Sequence, residues 1–534
     1  MARSADFDLA AALRSPSFTP AERDATALVE LVLAGDERAP AVLAKLGGAR
    51  ATLAARLDEP DDARRMRLVG ALGLIARRGD APAIELVIAR LGDPSSRVRR
   101  AAIGALGNLG GELARAAIAT RWDAADVTPD ERRALADALG KLGGDDALGK
   151  LRALDPGGDA ELARRRDRAL LVADRSGKRG EDSSVRDDVA PRSSLTVVLH
   201  CKRGLARLLA DELRAGTVIA SPATAGRAAA PEAVRSTIDD ASVELALAGP
   251  WRGLWRSRLW LDAGIRVPRP ALADPAESIA RGIVDAAPLL AAWTTGPIRW
   301  RLDVGSGKQR AVIWRVAKLV AAAAPALVND PTETTWDVIV RDASLELQPR
   351  RITDPRFAYR VADVPAASHP TVAAALAFAA GARQGDRVWD PFVGSALELI
   401  ERSRLGPVRS LAGTDLSEGA LAAARANLAA AGVTATLELG DARAVLGERD
   451  LELVITNPPL GGRVQVDAPA LLAQLLPIVA RRLVAGGRLV WIVPAHAAAH
   501  LGKLADKLAL RRTLFVPDVD LGGVRVCLER RELS

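Results

Sequence analysis

The chain has 534 residues, 49% hydrophobic and only 3% aromatic, with 74 Lys and Arg against 66 Asp and Glu for a formal net charge of +8. That length allows about three domains of ordinary size. No apolar run is long and uncharged enough to span a bilayer, so no membrane partner is expected and the chain reads as soluble and cytoplasmic. Cys201 and Cys527 stand in no CxxC and near no histidine cluster, which excludes a disulfide framework and argues against a metal site. The excess charge is concentrated in the middle: residues 193–369 carry +5, residues 370–534 carry +2 and the first 192 carry +1.

Residues 1–20 have no clear period and read as a flexible arm. From 21 to 173 the sequence repeats. Ala71-Leu72-Gly73, Ala105-Leu106-Gly107 and Ala138-Leu139-Gly140 recur at spacings of 34 and 33, each inside an amphipathic helical run followed by a second one. That pattern predicts a solenoid of helical pairs. The segment Asp93 to Gly110, DPSSRVRRAAIGALGNLG, resembles a HEAT-type repeat, with Val98, Ala102, Ile103 and Leu106 on its buried side. Arg97, Arg99 and Arg100 are either a surface for a protein or RNA partner or ordinary solvated charge.

Residues 174–194 are rich in charge, Ser and Gly and read as a linker. Residues 195–365 form an α+β region: a strand at Leu195 to Leu199, a Lys202-Arg203-Gly204 turn, then an amphipathic helix. Within it, Trp251, Trp255 and Trp260 alternate with Arg252, Arg256 and Arg258, which fits either base stacking or a buried helical face. Arg299, Arg301, Lys308, Arg310 and Arg315 make the stretch from Ile298 the first place to expect RNA backbone contacts.

From residue 366 to 534, apolar strands near 387, 410, 434, 451, 488, 511 and 524 alternate with helical runs near 396, 418, 470 and 498. They predict a mostly parallel seven-stranded sheet with helices on both faces. The first strand ends in Asp390, followed by a tight turn containing Phe392, Gly394 and Ser395 and then a helix, which presents a helix N-terminus to a ligand. Asp415 ends the second strand, 21 positions after Gly394. That is about the distance at which an acidic side chain meets a ribose hydroxyl in nucleotide-binding units. Asp441 follows the third strand, and Asn457-Pro458-Pro459-Leu460 follows the fourth.

These motifs resemble those of class I S-adenosylmethionine-dependent methyltransferases, in the branch with DPFxGSG in the first loop and NPP(Y/F) after the fourth strand. The form is most similar to RNA guanine-N2 methyltransferases that carry a THUMP-type RNA-binding domain ahead of the catalytic one. TVVLHCKRGLARLLADEL looks like the opening of such proteins. The resemblance covers roughly the last 340 residues, most strongly from Ser368. It implies S-adenosyl-L-methionine as cofactor, held by Asp390, Phe392, Gly394, Ser395, Asp415, Asp441, Ala442 and Asn457. Asn457, Pro458, Pro459 and Leu460 would then face a target amine of ribosomal or transfer RNA.

Two positions depart from the family pattern: Ala396 replaces the third loop glycine, and Leu460 replaces the aromatic that stacks on the flipped base. They keep a second reading open, in which a HEAT-repeat scaffold carries an inactive methyltransferase-like domain. Methylation of a protein glutamine also uses NPP(Y/F), but the basic middle region argues against it.

Overall fold

A computed structural model describes residues 8–14, 18–177, 181–216, 233–305, 309–365, 367–444, 450–460 and 467–534. The sequence repeats are a helical solenoid. Helices Asp62–Ile75, Ser96–Leu109, Pro129–Leu142 and Ala160–Gly177 stack side by side, alternating with Ala81–Ile88, Gly111–Trp122 and Asp145–Ala153. The recurring glycine is the contact point. A Cβ on Gly73 would lie 2.4 Å from that of Ala105, one on Gly107 would lie 3.1 Å from Ala138 Cα, and one on Gly140 would lie 2.8 Å from Ala169 Cα. Arginines link successive repeats: Arg65 pairs with Asp93, Arg99 with Glu131 and Arg133 with Asp159. Arg99 is therefore structural, and Arg100 pairs with Asp130, while Arg97 stays exposed.

The solenoid docks through its last helix, where Lys318 pairs with Asp167 at 2.5 Å and Arg168 lies over the Trp314 ring. The expected linker is in part ordered structure. Ser184–Val185 pairs with Thr294–Thr295, and Asp187 accepts hydrogen bonds from Arg252 N and Trp255 Nε1. Backbone pairing and one aspartate tie down a stretch whose composition alone suggested a tether.

The middle region is an eight-stranded sheet in the order Ala233–Asp239, Ser242–Leu247, Leu195–Cys201, Trp260–Pro268, Ser344–Pro349, Trp336–Val340, Ile298–Asp303, Leu327–Asn329. Residues 217–232, in the run from Thr217, and Lys308 lie outside the described residues. Most of the tryptophan and arginine series belongs to the interior, Arg258 included, while Arg252 is exposed and Arg256 half-buried. Trp251 and Trp260 are buried, Trp255 stacks on Trp260 at 5.3 Å, and Arg356 sits over the Trp260 ring at 3.5 Å. The arginines expected to meet RNA are also engaged. Arg299 is fully buried and donates to Glu181 O, Arg301 pairs with Asp337, and Arg315 pairs with Asp274 and Glu277. Only Arg310 of that group, among the described residues, is exposed without such a pairing.

The C-terminal sheet has strands β1 Asp386–Asp390, β2 Val408–Asp415, β3 Thr436–Leu439, β4 Leu451–Thr456, β5 Leu483–Pro494, β6 Leu510–Asp520 and β7 Arg525–Leu533, in the order β3-β2-β1-β4-β5-β7-β6. The first five pair in parallel, and β7 runs antiparallel to both neighbours. Helices α1 Pro370–Ala380, α2 Leu397–Arg404, α3 Glu418–Ala431, α4 Ala468–Arg482 and α5 Ala498–Lys507 flank the sheet. The unbroken apolar runs 453–455 in β4 and 489–494 in β5 follow from burial on both faces.

Middle and C-terminal sheets share one core. Arg258 reaches across to Glu401 on α2, and the Gly204 turn abuts β6 so closely that a Cβ there would meet Val519 Cα at 2.9 Å. Among the described residues no helix is long and apolar enough to cross a membrane, and no group of His, Cys, Asp and Glu could hold a metal ion.

Candidate active site

At the carboxyl ends of β1, β2 and β4 a cleft of about 1120 Å³ opens. After Asp390 the chain turns through residues 391–396 and enters α2. Val393 N donates to Thr414 O at 3.0 Å, which lays the turn on the end of β2. Gly413 permits this approach, because a Cβ there would meet Val393 Cγ2 at 2.5 Å. Ala396 caps the helix with φ 65°. The backbone does require the left-handed conformation that glycine would take freely, and the alanine costs about 1–2 kcal/mol there.

Asp415 accepts from Gly394 N through Oδ2 and from Ser417 N through Oδ1, both at 2.9 Å. One carboxylate thus fixes the phosphate-loop-like turn and the start of α3, leaving its remaining lone pairs toward the cleft. Asp441 is held by Arg443, whose Nη2 lies 2.6 Å from Oδ2 and whose Nη1 donates to Gln474. The hydrogen bonds from Arg443 draw the Asp441 carboxyl below the ordinary range.

Behind the turn lies an acidic floor. Asp390 is fully buried; its Oδ1 accepts from Phe392 N at 3.0 Å, and the Thr456 side chain stands beside its carboxyl. Burial first, then the charges of Glu398 and Asp415, hold the Asp390 carboxyl well above its usual range. Burial likewise pushes Glu398 up to about 6. Buried acids crowded together with no counter-cation among the described residues favour a positively charged ligand.

Across the cleft, Asn457 Nδ2 donates to Ser368 Oγ at 2.9 Å, and Ser368 Oγ donates to Glu398 Oε1. Asn457 Oδ1 is buried and has no partner. Leu460 is half-buried against the core rather than standing as a platform. The rings among the described lining residues are Phe392 and His369. Burial and the nearby Lys202 push the His369 imidazole down to about 4, so it is neutral near pH 7. At the mouth, Lys202 comes from the middle sheet, beside Leu521, Gly522 and Val524 of the β6–β7 hairpin.

Phe392, Gly394, Ser395, Asp415, Asp441, Ala442, Asn457, Pro458, Pro459 and Leu460 all line this cleft, with Asp390 buried behind them. Gly461, Gly462 and Arg463 lie outside the described residues. Sequence reasoning missed four contributors. Ser368 and Glu398 complete the Asn457 hydrogen-bond chain, and Lys202 supplies the only lysine among the described residues of the lining. Asn427, on α3, grips Val361 N, Ala362 N and Ser395 O and so holds the segment leading over the cleft. Only Lys202, in a Lys-Arg-Gly turn after a strand, carried a local signal.

The strand order, the single reversed strand and the cleft at the carboxyl strand ends define a Rossmann-like methyltransferase fold. Residues 358–514 match the RMKL-like methyltransferase domain family, and residues 50–128 match HEAT repeats, so the chain joins a methyltransferase domain of that type to N-terminal HEAT repeats. No curated protein matches the chain. Among solved structures, TrmN from Thermus thermophilus is similar over 64% of this chain and 100% of its own, with 22% identity and a TM-score of 0.50. A protein of Clostridium difficile 630 described as "a possible methylase" is similar over 64% of this chain and 99% of its own, with 14% identity and a TM-score of 0.48. At these identities the likeness is one of fold.

Proposed function

We propose that the chain is an S-adenosyl-L-methionine-dependent methyltransferase acting on an exocyclic amino nitrogen of an RNA base, guanine N2 of ribosomal or transfer RNA being the first candidate. One observation carries the reading: among the described residues, the buried carboxyls of Asp390 and Glu398 have no cation beside them, and a buried amide oxygen of the same cleft, Asn457 Oδ1, has no donor. S-adenosyl-L-methionine, when bound, supplies a methyl group on a cationic sulfur. Asp390 and the backbone of the Gly394 turn would hold its amino-acid end, Asp415 its ribose hydroxyls, and Asp441 with Ala442 its adenine.

The remaining work falls to the chain's own groups. Asn457 Oδ1 and the Pro458 carbonyl accept the hydrogens of the target amine, which turns its lone pair toward the methyl. No strong general base is needed, since the methylated amine releases its extra proton to water after transfer. Lys202 at the mouth suits a backbone phosphate of the substrate. The HEAT repeats offer a surface for a protein partner, with Arg97 exposed on it.

Strain at Ala396 and the missing ring at Leu460 support the alternative, a scaffold with an inactive domain. Calorimetric titration of S-adenosyl-L-methionine into the wild type and Asp415→Ala separates them. Asp415→Ala is expected to weaken binding about a hundredfold, the loss of two hydrogen bonds to a charged acceptor. Labelled methyl transfer to unmodified total RNA, abolished in Asn457→Ala, completes the case. A wild type that binds no S-adenosyl-L-methionine overturns the enzyme reading.

A further inference from the structure

Ser368 and Glu398 contact no reacting group in the reading above, yet they join Asn457 in a chain whose proton directions are fixed by simple counting. Ser368 Oγ has one proton, and it is directed to Glu398 Oε1. The hydroxyl can therefore only accept from its other neighbour. That neighbour is Asn457 Nδ2, at 2.9 Å. An amide side chain can present its oxygen or its nitrogen in either of two nearly isosteric orientations. Here the serine leaves only one: NH2 toward Ser368, carbonyl oxygen away from it.

We propose that Glu398 and Ser368 are positioning residues that lock the Asn457 amide with Oδ1 toward the incoming amine. The inference rests on the methyltransferase reading but concerns a property of the resting protein. Without the lock, the amide is free to turn its NH2 toward the substrate amine, donor against donor, and the lone pair is no longer drawn toward the methyl. Above a pH of about 6, where it is ionised, Glu398 is also the reason the serine cannot reverse its direction, because an ionised carboxylate accepts only. Nothing else reaches Ser368 Oγ among the described hydrogen bonds. Asn457 Oδ1 has no protein partner that could hold the orientation from the other end.

The chain contains only four asparagines, Asn108, Asn329, Asn427 and Asn457. Selective 15N-asparagine labelling therefore gives four side-chain NH2 pairs, and Asn457→Asp identifies the relevant one. In the wild type, one Asn457 amide proton is expected downfield and slow to exchange. Ser368→Ala should move that pair to free-amide positions, Ser368→Thr should restore it, and Glu398→Gln should broaden or double it as the serine proton loses its fixed direction. This readout needs no substrate, so an Asn457 pair that is free-like in the wild type, or indifferent to Ser368→Ala, overturns the proposal even if methyl transfer is never observed. Where transfer is measured, Ser368→Ala should lower kcat about tenfold with the S-adenosyl-L-methionine Kd unchanged, and Ser368→Thr should recover most of it. An unchanged kcat in Ser368→Ala also overturns it.

Discussion

Arg258, in the loop just before the middle-sheet strand Trp260–Pro268, and Glu401 on α2 form a two-pronged ion pair buried on both sides, with Nε 2.6 Å from Oε2 and Nη2 2.8 Å from Oε1. Tyr359 OH also donates to Glu401, and Arg258 Nη2 to the Arg356 carbonyl. Two charges taken out of water are tolerable only together. Arg258→Met should therefore destabilise the protein by about 3–5 kcal/mol by stranding Glu401, while Arg258→Met with Glu401→Leu should recover a large part. Urea denaturation of the two variants tests this; additive losses would mean the pair is not coupled.

Gly73 and Gly70 sit one turn apart on the same solenoid helix in opposite circumstances. A Cβ on Gly73 collides with Ala105, whereas one on Gly70 meets nothing within 4 Å. Gly70→Ala should stabilise by roughly 0.5–1 kcal/mol through helix propensity alone. Gly73→Ala should destabilise by about 1–3 kcal/mol despite the same propensity gain, because it pushes adjacent repeats apart. Thermal melts that moved the same way for both would refute the packing account of the repeat.

The acidic floor gives the unliganded protein a pH signature. The Glu398 carboxyl stands at about 6 folded against an ordinary 4.5, mainly through burial. The folded state thus binds more protons, so this contribution is complete below the ordinary value and is lost as pH rises through about 6. The loss is about 2 kcal/mol. Glu212, raised by burial to about 7, adds a similar decline in any variant. The difference between wild type and Glu398→Gln in denaturation at pH 4.5, 5.5 and 6.5 reads Glu398 together with its effect on Asp390: the wild type should lose ground steadily, and parallel curves would contradict the burial argument. A cationic ligand should correspondingly bind more tightly as pH rises through the same window.

Lys202 lines the mouth of the cleft but belongs to the neighbouring sheet. Lys202→Gln should raise the KM for RNA several-fold, leave S-adenosyl-L-methionine binding alone, and reduce the salt dependence of RNA binding by about one ion. Filter binding across a salt series reads this directly. An unchanged slope would remove Lys202 from the RNA path.

Much of the C-terminal half was legible in the sequence because its signals are local. Asp390 through Ser395 is a strand end, turn and helix start in adjacent residues, and the seven strands fall where the apolar runs do. The solenoid announced itself by the recurrence of Ala-Leu-Gly, which the Gly73–Ala105 contact explains. What stayed hidden depends on partners far along the chain. Arg301 reads as a free cation until Asp337, 36 residues away, is brought beside it on the adjacent strand. Trp255 and Trp260 read as one face of a helix, but the segment is a short 3-10 turn, Trp251–Arg256, leading into a strand. Ser368 and Asn457 are 89 residues apart, and no spacing rule joins them.

The tight seat of Gly204 against Val519 and Asp518 has an evolutionary consequence. A methyltransferase half grafted onto a different middle region would inherit a hairpin shaped to a glycine turn and would lose the lysine that turn delivers. The two sheets are bound to change together along that seam, because any side chain at position 204 would have to be matched by a shift of the hairpin backbone.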